Sequence, residues 1–185
     1  MNKKGSMSAA NDQAMGFPPV STGADLVVIL GSFPGQSSLD KNEYYGHRNN
    51  GFWPIMGKLL GFDPQIGYRQ RLEWLKQNRI ALWDVLTSCS RDGSLDASIQ
   101  RDSMVLNDFE DFFEKNRSIH TVIFNGSMAE AEFRKQVLRK TRIQLRNLAL
   151  YRLPSTSPAM AMLNLAQKVE AWSVLIEVLE DGKEK

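Results

Sequence analysis

LVVILGSFPGQSSLDKNEYYGHRNNGFWPIM, residues 26–56, contains the run that decides the fold. Its first five residues, Leu26 to Leu30, are all apolar and rich in β-branched types, and the run is too short for a typical helix. Gly31 and the Pro34-Gly35 pair stop it, so it reads as a buried strand that breaks into a turn. Loops at the carboxyl ends of parallel strands are where open α/β sheets bind their ligands. The loop that follows carries Phe33, Tyr44, Tyr45, His47, Asn49, Asn50, Phe52 and Trp53. Rings, amides and an imidazole gathered in one loop make it a candidate site.

Working outward, three more strand-like runs follow at Ile80–Leu86, His120–Phe124 and Leu148–Leu153. Helical patterns are expected at Phe52–Leu60 and Tyr68–Gln77, as one or two amphipathic helices across Asp96–Lys115, at Ser127–Arg139, and from about Ala159 to Leu179. The alternation predicts an α/β fold, a three-layer sandwich whose central, mostly parallel four-stranded sheet is flanked by helices. In such a sheet the loops Gly31–Gly35, Thr87–Ser90, Asn125–Ser127 and Pro154–Ala159 share one edge. Residues 1–15 read as a flexible tail and 16–182 as a single domain.

The whole chain bounds this reading. Its 185 residues suit one domain, and 42% hydrophobic with 24% charged residues are ordinary globular values. Cys89 is the only cysteine, so no intramolecular disulfide can form and a reducing, cytoplasmic setting is expected. No apolar run approaches the roughly 20 residues of a membrane span. The opening lysines are followed by no apolar stretch, so the start does not read as a signal peptide. The net charge of +2 says little, but Phe133 to Arg152 holds seven basic residues and no acidic one. That stretch either faces a phosphate backbone or forms a solvated helix face balanced by Glu130 and Glu132; on charge alone the solvated face is the better reading.

Several chemistries can be weighed on the residues. Gly31 to Gly35 lacks the Lys-Ser/Thr of a P-loop and the third glycine of a dinucleotide fingerprint. It is no nucleophile elbow, because Phe33 stands where serine is required. Two histidines and one cysteine, at 47, 89 and 120, show no metal-ligand spacing. A flat aromatic beside amides suits a pocket for a planar heterocycle, the ring stacking and the amides reading its polar edge. Asn50-Gly51 is also a strong turn dipeptide, so the Asn50 side chain has a purely local use open to it.

Gly-Phe-Pro-Pro-Val at 16–20, Gly-Ser-Phe-Pro-Gly at 31–35 with Ser38-Leu39, Tyr-Tyr-Gly-His at 44–47, and Asn50 with Phe52-Trp53 form an ordered series. Trp83-Asp84-Val85, Ser88-Cys89, Gly93-Ser94-Leu95-Asp96, Phe124-Asn125-Gly126 and Leu-Pro-Ser-Thr-Ser-Pro-Ala at 153–159 continue it. In these motifs the chain resembles the uracil-DNA glycosylase superfamily, and within it the hypoxanthine-DNA (deoxyinosine) glycosylase branch.

The resemblance implies excision of a deaminated base by hydrolysis of the N-glycosidic bond, with no metal and no organic cofactor. It implies DNA as the partner, as damaged duplex or single strand, no membrane, and a monomer. Ser32, Phe33, Pro34 and Ser38 would line the base pocket, Tyr45 would stack on the flipped base, and Asn125 would contact it. Asn50 would hold the catalytic water, and His47 would assist the departing base. Ser155, Thr156, Ser157, Pro158 and Ala159 match the second motif, which enters the DNA and holds the extrahelical nucleotide, with Met160 or Met162 as apolar wedges. Two departures stand out. Phe33 occupies the position where uracil enzymes carry a water-activating acid, and Arg48 replaces the usual proline after the histidine. No lysine sits in the motifs, which argues against Schiff-base lyase chemistry.

Overall fold

The computed structural model describes residues 13–140 and 147–182, so residues 1–12 of the tail expected at 1–15 lie outside the described residues, while Ala14 and Met15 at its end are paired as a strand instead. The chain opens on a two-residue strand β1 (Ala14–Met15), followed by β2 (Val27–Gly31), α1 (Gln36–Lys41), α2 (Phe52–Leu60) and α3 (Tyr68–Gln77). Strands β3 (Ile80–Asp84), β4 (Leu86–Cys89) and β5 (Val105–Leu106) lead to α4 (Phe109–Lys115) and β6 (Thr121–Asn125). Helix α5 (Ser127–Glu132) runs through a π-helical turn, Phe133–Val137, into α6 (Leu138–Lys140). The chain closes on β7 (Ala149–Leu153), α7 (Leu165–Trp172) and α8 (Val174–Asp181).

The main sheet has the order β3-β2-β6-β7, and every pair in it is parallel. All five residues of β2 are buried, as a strand covered on both faces should be. Leu30 pairs with Trp83 on one side and Phe124 on the other, so these three share a sheet face. Phe109 of α4 meets Trp83 at 5.1 Å and Phe133 at 5.1 Å, and Phe124 meets Phe133 at 5.2 Å. That aromatic layer closes one side of the sandwich. The connection from β2 to β3 leaves in the opposite direction from those joining β3 to β6 and β6 to β7. Right-handed crossovers therefore put α1–α3 on the other face. Helix α7 packs on α2 there, with Trp172 edge-on to Phe52 at 6.2 Å. The three-layer α/β fold expected from the alternation is what the chain adopts.

Several local expectations are corrected. The run Ile80–Leu86 is two strands: the chain bends at Val85, whose N–H donates to the Gly31 carbonyl, and β4 leaves to pair antiparallel with β1 and β5. Thr87–Ser90 is consequently mostly strand, not a loop at the site. Asp96–Lys115 forms only one α-helix, α4, capped by Asp108 accepting from the Asp111 N–H; the rest is 3-10 turns and β5. The stretch after Gly35 is not all loop either, because Gln36–Lys41 is helical and ends at Asn42 in the left-handed region. The last helix breaks at Ser173 into α7 and α8, and Asn164 with Gln167 forms the capping box that starts it.

Candidate active site

Strands β2 and β6 are neighbours whose following connections go to opposite faces, which is the topological switch point where open α/β sheets leave a crevice. A cavity of about 460 Å3 opens there. Its lining is Gly31, Ser32, Phe33, Gly35, Ser37, Ser38, Tyr45, His47, Asn50, Asp84, Ser94, Leu95, Asp96, Asn125 and Ser155 to Ala159. Three of the four expected loops meet in it. The fourth wall comes from Ser94–Asp96 instead of Thr87–Ser90. Pro34 is the one expected site residue that does not line the cavity; it is buried, and its carbonyl accepts from Arg91 Nη2 at 2.6 Å. A more open groove of about 660 Å3 beside Trp83, Leu106 and Phe112 contains none of the expected site residues.

Tyr45 is built as a platform. Its backbone sits at φ 55, an uncommon conformation for a bulky residue and one held only by strong surroundings. Its ring stacks on Phe52 at 4.0 Å and 20°, so one face is backed while the residue borders the cavity. Burial first, then the nearby Asp84 charge, raises the phenol far above its ordinary range, so the ring stays neutral. Phe33 is buried with the Arg91 guanidinium 5.3 Å over its ring, and Ser38 Oγ accepts the Gly46 N–H. The Ser32 hydroxyl donates to Asp96 at 2.6 Å, tying the first motif to the Ser94–Asp96 wall.

Asn50 makes the local bond that its dipeptide suggests: Oδ1 accepts the Phe52 N–H at 3.0 Å. That bond uses one lone pair of Oδ1 and fixes the amide plane, leaving the second lone pair for a water. His47 is exposed, and its Nδ1 accepts the Asn49 N–H at 3.2 Å. An accepting Nδ1 puts the ring proton on Nε2. Asn125 is more committed than expected. Its Oδ1 accepts the Thr156 N–H at 2.8 Å, and its Nδ2 donates to Thr156 Oγ1 at 2.9 Å. The carbonyl of Thr156 in turn accepts the Gly51 N–H at 2.9 Å. Gly126, at φ 101, is needed here, because a Cβ would press on Ser155 at 3.0 Å. From below, buried Lys168 donates to the Ser157 carbonyl at 3.3 Å and Trp172 to that of Pro154 at 3.0 Å.

Two carboxyl groups in the cavity escaped the sequence reading. Asp84 ends β3 only 4% exposed, in register with Gly31, where any Cβ would collide with its carboxylate. Its Oδ2 is buried with no hydrogen-bond partner among the described residues. Burial first, then the Asp96 charge, and against them Arg91, push its pKa up to about 7. Asp96 is raised by burial as well, opposed by the Ser32 hydrogen bond and Arg91. The available signal was an acid closing an otherwise apolar strand.

A backed aromatic ring beside polar groups, in a crevice at the switch point of a parallel sheet, marks an α/β protein with a pocket suited to stacking a flat ring. The chain belongs to the Uracil DNA glycosylase superfamily, whose family model matches residues 20–176. Hypoxanthine DNA glycosylase of Methanosarcina barkeri is 42% identical over 112 residues, 60% of this chain and 70% of that protein. Its namesake in Methanosarcina acetivorans is 39% identical over 115 residues, 62% of this chain and 72% of that one. The solution NMR structure of a Methanosarcina acetivorans protein, described as a candidate uracil DNA glycosylase, matches with a TM-score of 0.75 at 32% identity. That match covers 91% of this chain and 99% of the other. The expected family and fold are both met.

Proposed function

We propose that the protein is a DNA glycosylase that turns a deaminated base, foremost hypoxanthine, out of DNA into this cavity and hydrolyses its N-glycosidic bond. The observation that carries the reading is the Tyr45 ring, backed by Phe52 and bordering a polar cavity made by the family's two motifs. The two relatives named as hypoxanthine DNA glycosylases support hypoxanthine as the base. Flipping costs a few kcal/mol, least for a weakly paired deaminated base. Ser155 to Ala159 supports the extruded nucleotide, and Met162, 89% exposed beyond that loop, is the wedge that fills the gap.

The sugar develops oxocarbenium character as the bond breaks, so the site must hold a water and ease the departure of the base. Asn50 orients the water through its second lone pair, and His47 offers Nε2–H to the base. An amide is a negligible base, so slow turnover follows. Among the described residues no lysine lines the cavity, in keeping with a hydrolytic reaction. The test is incubation with duplexes containing inosine, uracil or xanthine, followed by alkali to reveal abasic sites. Inosine should be cut fastest; no release from any of them removes the enzymatic reading and leaves a DNA-binding relative.

A further inference from the structure

We propose that Asp84 is a catalytic acid: its protonated carboxyl donates to the acceptor edge of the bound base and hands over the proton as the bond to the sugar breaks. The proposal rests on the glycosylase reading above. Asp84 closes β3 at the cavity, over Gly31, a residue whose lack of a Cβ is what admits the carboxyl. No ion pair or hydrogen bond within the described residues employs its buried Oδ2. The backbone at the same residue is fully engaged, its carbonyl accepting from Asn107 Nδ2 at 2.8 Å. A buried polar atom left without a partner, in a residue that lines a cavity, calls for an explanation, and a molecule bound there would supply the missing partner.

The titratable and charged groups facing it are the phenols of Tyr44, Tyr45 and Tyr68, the carboxyl of Asp96, the Arg91 guanidinium, and His47 on the shared cavity wall. Three neutral phenols and a second acid leave little to hold a carboxylate there, and Arg91 is the only cation among them. Hypoxanthine keeps the N7 and O6 acceptors of guanine, so an ionised carboxylate would repel that edge and only the acid form can donate to it. In the step, the C1′–N9 electron pair leaves with the base while the Asp84 proton goes to N7, so the base departs neutral. Water adds to C1′, and the proton it sheds returns Asp84 to its acid form.

The experiment is single-turnover release of hypoxanthine from an inosine-containing duplex between about pH 5.5 and 9. The unmodified chain should hold a level rate below about pH 7, where the acid form is present, and lose about tenfold per unit above it. Asp84→Asn keeps the shape and a donor but has no proton to give. It should be at least about tenfold slower at pH 6 and show no descending limb. His47→Ala should keep the limb, which assigns it to Asp84. A limb that persists in Asp84→Asn, or a level profile in the unmodified chain, overturns the acid while leaving the glycosylase intact. Absence of release at every pH overturns both. A carboxyl NMR titration of the unmodified chain stands independent of any variant, and ionisation of Asp84 near its ordinary value of about 3.9 also overturns the proposal.

Discussion

Asn50 divides its amide between the backbone and the cavity, and the two uses are separable by mutation. Asn50→Ala removes the bond to the Phe52 N–H as well as the proposed water site. Single-turnover excision should fall at least about tenfold, or ~1.4 kcal/mol of barrier. Asn50→Asp keeps an acceptor for Phe52, so a stability loss seen in Asn50→Ala and absent from Asn50→Asp reports that bond, and a rate loss beyond it reports the proposed water. Asp84 makes a second prediction. Its folded pKa, about 7, lies above the ordinary carboxyl value, so the folded chain holds more protons than the unfolded one between those limits. Stability therefore falls as pH rises through that window, and Asp84→Asn should raise the melting temperature at pH 8 more than at pH 5. A gain independent of pH would contradict the buried acid. Tyr45, His47 and Asn50 could be picked out as candidates because rings, an imidazole and amides crowd a single loop. Asp84 was not, because its burial arises only when β4 turns away at Val85.

The loops at the carboxyl edge of the sheet work as one fastening, with Thr156 at its centre. It is almost wholly buried, bonded twice to Asn125 and once to Gly51. Asn125→Ala should cost about 1–3 kcal/mol in urea unfolding, since it strands a buried N–H and a hydroxyl. A loss under about half a kcal/mol would mean the loops hold without it. The four main strands were readable because each is a short apolar run ended by turn residues. The expectation of one or two helices across Asp96–Lys115 holds only from Phe109 on, because the apolar positions there serve two layers. Phe109, Phe112 and Phe113 face the sheet from α4, whereas Leu106 pairs with Leu86 in the small antiparallel sheet. Pairings between such short strands, far apart in sequence, leave no local periodicity to detect.

Across the fold, the described basic residues that follow α5 lead away from the cleft, whereas Arg152 lies near the end of β7, just before the loop that lines it. Helix α5 starts beside Asn125 and runs back along β6, so at about 1.5 Å per residue its basic part lies more than about 10 Å from the cavity edge. Arg134 and Arg152 both reach Glu130, at 2.9 and 3.4 Å, which favours the solvated-face reading. Lys140 to Arg146 fall outside what can be said of side chains. Neutralising Lys135 and Arg139 together should change duplex affinity less than about twofold and the log–log salt slope by less than about one. A larger drop would put that face on the phosphates. No helix among the described residues is long and apolar enough to cross a membrane. The Thr156 fastening also bears on how quickly DNA can be searched. A cleft already tied shut at its seams need not be assembled afresh at each nucleotide, so the dwell time per site is set by the opening of the DNA alone. The Thr156 amide should then exchange its hydrogen slowly in the free protein and no more slowly once DNA is bound.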